Sequence, residues 1–121
     1  MSDTVRFPFG DAPIIDLAAA GTQDLIISNI KTIVQNGTPI AAAITALDII
    51  GSPDLPVGAE IFFDILQGAT GYDITFASNE DTVIAPVLTG VANDRDVLKL
   101  VWNGSAWVAE AAAWAKIKDA V

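Results

Sequence analysis

Carboxylates are the only side chains in this sequence that titrate near neutral pH. The chain has twelve Asp and three Glu but no His and no Cys. These counts exclude a Ser-His-Asp relay, a thiolate nucleophile, a disulfide framework and a zinc site with the usual ligands. Paired carboxylates could hydrolyse a glycosidic bond, but most of these residues fall in turn segments or on the polar side of a strand pattern. We therefore expect no enzymatic activity and no cofactor.

Two acidic segments carry the oxygen ligands that Ca²⁺ prefers. Residues 79–81 have the sequence Asn-Glu-Asp, and residues 93–96 have the sequence Asn-Asp-Arg-Asp. Neither matches the twelve-residue helix-loop-helix calcium motif, and Arg95 reduces the negative potential of the second segment. Asn and Asp also favour turns because their side chains bond to nearby backbone groups. We expect ordinary turns at both places, with a calcium site as the alternative.

Two of the three tryptophans flank a turn signal and could form a stacking platform for sugar rings. Trp102 and Trp107 lie on either side of Asn103-Gly104, a dipeptide that favours a tight turn. A cross-strand aromatic pair stabilises such a hairpin. We therefore expect Trp102 and Trp107 to pack within the hairpin, and a ligand-binding face is the alternative.

The charge balance excludes some classes of partner. The net charge is −9, with six Lys and Arg scattered along the chain, so no basic stripe is available for nucleic acid. The first ten residues lack the basic end and apolar run of a secretory signal. The longest weakly polar run, residues 39–51, is interrupted by Asp48 and is too short to span a bilayer. We expect a chain that folds in a cytosol and binds neither nucleic acid nor membrane.

The N-terminal stretch differs from the rest of the chain. Pro8 and Pro13 interrupt regular structure, and the apolar residues show no clean period of two. One interpretation is a strand or coil folded back on the core, and the other is an arm that lies on a neighbouring subunit. We divide the chain into an N-terminal arm, residues 1–21, and a β-rich domain, residues 22–121.

The first half of the β-rich domain predicts strands with one ambiguous segment. Residues 25–34 are rich in Ile and stop at the turn signal Asn36-Gly37. Residues 39–50 could form a helix, with Thr38 as its cap and Pro39 in its first turn. With a period of two, the same residues predict a strand.

The second half has the clearer pattern. Residues 60–66 and 72–76 alternate apolar and polar side chains, which predicts two strands joined as a hairpin by a five-residue loop. Residues 97–102 and 106–108 predict a second hairpin. Residues 110–121 are typical of a short amphipathic helix. The whole predicts an all-β domain, a compact sandwich or barrel of seven to nine strands with a possible short C-terminal helix.

Surplus apolar surface predicts self-association. The chain is 52% apolar and 17% charged, which is unusual for a freely soluble monomer. In the segment 25–34, Ile26 and Ile30 lie on the side opposite Leu25, Ile27 and Ile33. Because one core covers only one side of a sheet, we expect a symmetric homo-oligomer.

Three segments resemble parts of virion proteins of tailed bacteriophages. Residues 98–108 (LKLVWNGSAWV) resemble a closing hairpin that recurs in those proteins. Residues 55–61 (LPVGAEI) are similar to the entry of their central strand, and residues 72–77 (YDITFA) to another of their strands. The resemblance spans about residues 40–108. It implies that residues 39–50 form a strand and that the oligomer is a trimer.

The resemblance also implies a function without chemistry. It points to a structural virion protein, a capsid decoration (cement) protein that stabilises an icosahedral phage head by bridging subunits of the major capsid protein. Such a protein is made in the cytoplasm of the bacterial host and resides on the capsid surface. The alternative is a receptor- or glycan-binding module of a tail fibre. The expected capsid contacts are exposed turns and four apolar residues of the arm: Phe7, Phe9, Ile14 and Ile15.

Overall fold

Strands make up nearly all of the regular structure. The structure is a computed structural model that describes residues 4–7, 10–51 and 53–110, with side chains from residue 13 onward. Within these residues there are ten strands, which confirms the all-β prediction but exceeds the expected number. The strands are β1 (Thr4–Phe7), β2 (Gly10–Asp16), β3 (Gln23–Ile27), β4 (Lys31–Gln35), β5 (Ile44–Gly51), β6 (Glu60–Leu66), β7 (Ile74–Phe76), β8 (Thr82–Ile84), β9 (Arg95–Trp102) and β10 (Ala106–Ala109).

The strands form two sheets, and the middle part of the chain alternates between them. The large sheet has the order β1-β2-β4-β6-β9-β10-β8, and the small sheet has the order β3-β5-β7. From β2 to β7 successive strands alternate between the sheets, so strands two apart in sequence pair in parallel. We call this part the parallel coil. β9 then pairs antiparallel with both β6 and β10.

The core lies between the two sheets. β6, near the middle of the large sheet, buries every second side chain and leaves the others toward solvent, as a period of two requires. An edge-to-face contact joins the sheets, with the ring centroids of Phe63 and Phe76 5.4 Å apart. The fully buried side chains include Leu25, Ile27, Leu47 and Ile49 from the small sheet, and Val34, Ile61, Phe63, Ile65, Leu100 and Trp107 from the large sheet.

The predicted hairpin of residues 60–66 with residues 72–76 is wrong. β6 pairs with β4 and β9, whereas β7 pairs with β5 in the other sheet. The chain crosses between the sheets beside Gln67, whose buried amide donates to Tyr72 O at 2.8 Å and to Asp96 Oδ2 at 2.7 Å. Tyr72 N donates back to Gln67 Oε1 at 3.0 Å. The side chain therefore takes the place of a partner strand at this crossing.

The Ile-rich segment 25–34 also differs from its prediction as a single strand. It is divided into β3 and β4, which belong to opposite sheets, by a bend at Ser28–Ile30. The polar Ser28 and Asn29 belong to this bend and not to the polar side of one strand. As a result Ile26 and Ile30 are exposed, at 71% and 58%.

Three further predictions concern residues 39–50, the N-terminal stretch and the C-terminal residues. The strand alternative for residues 39–50 is right from Ile44 onward, where β5 begins. In the N-terminal stretch, residues 10–16 are part of the large sheet, since β2 pairs with β4, and the adjoining Leu17 is buried. The predicted helix over residues 110–121 lies outside the described residues beyond Glu110.

A carboxylate links three elements next to the core. Asp81 Oδ2 accepts from the indole N–H of Trp107 at 3.1 Å and from the backbone N–H of Gly51. Asp81 N donates to Ile49 O at 3.0 Å. Because Trp107 is fully buried, its indole N–H has no access to water as a substitute acceptor.

We expect Asp81→Ala to lower the free energy of unfolding by about 2–4 kcal/mol, because two donors lose their acceptor. Asp81→Asn keeps one carbonyl acceptor and should lose less. Urea unfolding followed by Trp fluorescence measures both. A loss within experimental error for Asp81→Ala would show that the carboxylate does not hold these elements.

A second prediction concerns Thr32, which is 3% exposed. Its hydroxyl lies within hydrogen-bond distance of no partner in the described part of the chain. We expect Thr32→Val, which keeps the shape, to raise the free energy of unfolding by about 1–2 kcal/mol. Thr45→Val, at an exposed position of β5, is the control and should change it little. A destabilised Thr32→Val variant would contradict the assignment.

Candidate partner-binding surface

The side of the large sheet that faces away from the small sheet carries both exposed apolar side chains and paired charges. We call it the outer face. Paired strands point opposite residues to the same side of a sheet, so the register defines its members. On β4, β6 and β9 they are Lys31, Ile33, Gln35, Glu60, Phe62, Asp64, Leu66, Arg95, Val97, Lys99 and Val101.

An apolar stripe crosses three strands of the outer face. Ile14 of β2 is opposite Ile33 of β4, and Ile33 is opposite Phe62 of β6. Phe62 is 42% exposed, and the two isoleucines are half-buried. Val97, another exposed apolar residue, lies one row away, opposite Asp64. The stripe is therefore continuous and open to a partner.

The part of the outer face next to β10 is not exposed. Val101 and Val108 are opposite each other on this side of the sheet, but both are buried in a small second cluster with Ala106. The part available for contact thus lies over β2, β4, β6 and the first half of β9.

A groove of about 320 Å³ lies beside the stripe. Ile33 and Phe62 provide its apolar wall, and charged side chains form its rim. Grooves that combine an apolar wall with a few polar groups are the usual form of a binding site on a protein surface. Its lining residues are Lys31, Thr32, Ile33, Glu60, Phe62 and Lys99.

Three charged residues form an ion-pair cluster at the rim, the Lys31–Glu60–Lys99 cluster. Lys31 Nζ lies 3.1 Å from Glu60 Oε1, and Lys99 Nζ lies 3.0 Å from Glu60 Oε2. Lys99 Nζ also lies 3.3 Å from Glu110 Oε1. Both oxygens of the central carboxylate are therefore engaged by cations from neighbouring strands.

The cluster shifts the pKa values of two of its members. Burial raises the pKa of Glu60, but the hydrogen bonds and positive charges of Lys99 and Lys31 together outweigh it, so the pKa lies below the ordinary value of 4.5. The hydrogen bond to Glu60 raises the pKa of Lys99 above the ordinary value of 10.5, against the opposite effect of burial. Glu60 and Lys99 are therefore both charged at neutral pH.

The outer face locally balances the acidic charge of the chain. Arg95 Nη1 lies 2.9 Å from Asp64 Oδ1, two rows from the Lys31–Glu60–Lys99 cluster. Every Lys and Arg whose side chain the structure describes therefore lies on this face and is paired with a carboxylate. In a chain with a net charge of −9, this surface can approach an acidic partner with little repulsion.

The four predicted arm contacts do not form one surface. Ile14 lies in the apolar stripe, whereas Ile15 points inward and packs against the core. The backbone of Phe7 belongs to β1, while its side chain and all of Phe9 lie outside the described residues. Phe62 was not among the predicted contacts, because it lies on the otherwise polar side of residues 60–66. An aromatic residue between Glu60 and Asp64 was the available signal.

The two tryptophans of the hairpin lie opposite each other. Trp102 is paired with Trp107, with ring centroids 5.3 Å apart. Asn103 Oδ1 accepts from the backbone N–H groups of Ser105 and Ala106, both at 2.8 Å, and Gly104 supplies the positive φ of the turn. Because Trp107 is fully buried, it cannot stack against a sugar ring.

The acidic turns use their oxygens within the protein. In residues 79–81 the engaged oxygen is Oδ2 of Asp81, which accepts the two hydrogen bonds described above. Asp96 Oδ2 accepts from Gln67, and Asp94 Oδ1 accepts from the backbone N–H of Arg95. Among the described residues, no three Asp or Glu come together in a way that could hold a metal ion.

Comparison with protein-family models, with curated proteins and with solved structures gives no match to this chain. In the described ranges, no helix has the length and apolarity needed to cross a membrane. The outer face is thus defined by the exposure, register and charge of this chain's own residues.

The Lys31–Glu60–Lys99 cluster predicts an acid-dependent part of the stability. Because the folded-state pKa of Glu60 lies below 4.5, its contribution is present above about pH 4.5 and is lost as the pH falls through the folded-state value. At pH 7 we expect Glu60→Gln to lower the free energy of unfolding by about 0.5–1 kcal/mol, since the pairs are partly exposed.

Urea unfolding of both proteins at several pH values measures this effect. The difference between them should close as the pH is lowered below 4.5. Glu80→Gln, at an exposed turn, is the matched control and should give no pH-dependent difference. A constant gap between wild type and Glu60→Gln at all pH values would contradict the ion-pair origin.

Proposed function

We propose that this chain is a structural virion protein, a capsid decoration (cement) protein that stabilises an icosahedral phage head by bridging major capsid subunits. The observation that carries the proposal is the outer face, where an apolar stripe and paired charges lie together on one side of the large sheet. The resemblance of residues 40–108 to virion proteins of tailed bacteriophages supports it independently.

The geometry fits a protein that acts through contact area. A cement protein needs many modest contacts, which capsid symmetry multiplies into a strong total attachment. Phe62 lies at the centre of the outer face, where a partner would fully desolvate its ring, and such central aromatic residues dominate binding energy. The surrounding ion pairs can exchange partners with charges on the capsid and thereby orient the contact.

The proposal includes self-association and location. The exposed Ile26 and Ile30 offer apolar surface outside the outer face, so copies of the chain can associate while the outer face stays free. A trimer is the assembly that the resemblance implies. The protein would be made in the bacterial cytoplasm and reside on the capsid surface.

Binding to undecorated capsids tests the proposal. We expect saturable binding at symmetry-related sites and shells that resist heat better than undecorated ones. Phe62→Glu should weaken binding about tenfold or more. Val87→Glu, at an exposed position in the loop after β8, is the matched control and should bind like wild type. Co-sedimentation with shells measures the affinity, and the melting temperature of each variant shows that it is folded.

The arm is tested by Ile14→Glu and not by deletion of residues 1–15. That deletion would remove most of β2 together with Ile15, which packs against the core, so a loss of binding would not be informative. Failure to bind capsids, together with binding to host cells, would favour the tail-fibre alternative. In that case residues other than the buried Trp107 must contact the receptor.

A further inference from the structure

In the part of the chain that the structure describes, one strand edge of the small sheet has no neighbour. β3 pairs with β5 on one side, and no described residue pairs with its other side. The opposite edge of the same sheet is covered, since Ile74 of β7 exchanges two backbone hydrogen bonds of 2.9 Å with Leu88. An uncovered edge presents unpaired N–H and C=O groups, which readily pair with another strand.

The residues of β3 do little to prevent such pairing. Protected edges usually carry Lys or Pro, or are very short, whereas β3 has five residues of which only Asp24 is charged. Ile26 is 71% exposed, the highest value among the large apolar side chains of the described chain. Leu25 and Ile27 on the other side are buried. The edge is therefore regular, apolar and open.

Among the antiparallel registers centred on the three middle residues of β3, which keep the longest overlap, one makes two copies complementary. Every second residue of an edge strand directs both backbone groups outward, so outward groups meet only if the two-fold axis passes through a residue. An axis at Asp24 would oppose two like charges, which is destabilising. An axis at Leu25 would place the apolar Ile26 opposite the charged Asp24.

An axis at Ile26 avoids both conflicts. It opposes Ile26 to Ile26 of the second copy, Leu25 to Ile27 and Asp24 to Ser28. Each exposed isoleucine then covers the other, the two buried sides continue into one another, and no like charges are opposite. The two small sheets would join into one sheet of six strands.

We propose that this chain forms a two-fold dimer in which β3 pairs antiparallel with β3 of a second copy, centred on Ile26. This inference does not depend on a role in the virion. It differs from the trimer that the resemblance implies, because an interface centred on a two-fold axis joins only two copies.

Sedimentation velocity at micromolar concentrations tests the assembly. We expect a dimer, and Ile26→Lys should weaken its association about tenfold or more because two like charges then face each other. Ile84→Lys, an equally large change at an exposed position of β8, is the control and should leave the dimer intact. Circular dichroism checks that both variants are folded.

Disulfide trapping tests the register, because the chain has no other Cys. In the proposed register the Cα atoms of residue 26 in the two copies lie about 4.5–5.5 Å apart, within the span of a disulfide. Ile26→Cys should therefore cross-link rapidly on mild oxidation. Asp24→Cys should not, since its counterpart lies four residues away along the partner strand.

Three results would overturn the proposal. A monomer at all concentrations without cross-linking of Ile26→Cys would exclude self-association through β3. A trimer that Ile26→Lys leaves unchanged would agree with the resemblance and place the contact elsewhere. Faster cross-linking of Asp24→Cys than of Ile26→Cys would exclude the register centred on Ile26.

Discussion

Burial of the two inner sheet faces against each other holds this molecule together. From β2 to β7 no strand pairs with the next one in sequence, so local hairpins cannot stabilise that part of the chain. Its strands stay in place because apolar side chains from both sheets fill one shared core. The outer face depends on the same core, because the buried side chains of β4 and β6 hold these strands in place from the inner side.

Polar side chains that are buried or half-buried form hydrogen bonds where the chain changes sheets. Asn36 illustrates this after β4, where its amide accepts from Leu66 N at 2.8 Å and donates to Leu66 O at 2.9 Å. It thus continues the ladder between β4 and β6 beyond the end of the backbone pairing. Gln67 and Asp81 do the same for other crossings. Since a buried backbone group without a partner is costly, these side chains allow abrupt changes of direction close to the core.

Much of the local structure, but little of the pairing, could be predicted from the sequence. The alternation in residues 60–66 identifies a strand and its buried side, because a period of two depends on the strand alone. The alternation does not identify the neighbouring strand. The prediction therefore paired residues 60–66 with residues 72–76, although these two strands belong to different sheets. The pairing of Trp102 with Trp107 could be predicted because the two residues flank a local turn. The outer face could not be predicted, since Ile14, Ile33 and Phe62 meet only through long-range strand register. Without that register, the sequence does not show that Ile14 faces outward and Ile15 faces the core.

The winding of the parallel coil also bears on how fast the chain reaches this state. Ile14 and Ile33 are partners although nineteen residues separate them, and twenty-nine separate Ile33 from Phe62. Each such pairing loses the conformational entropy of a long loop before its stabilising contacts can form. The hairpin of β9 and β10, in contrast, closes over a few residues. A chain with this order of strands must therefore cross a higher entropic barrier than an antiparallel meander of equal length, and its half-formed sheets stay exposed to other chains for longer during synthesis.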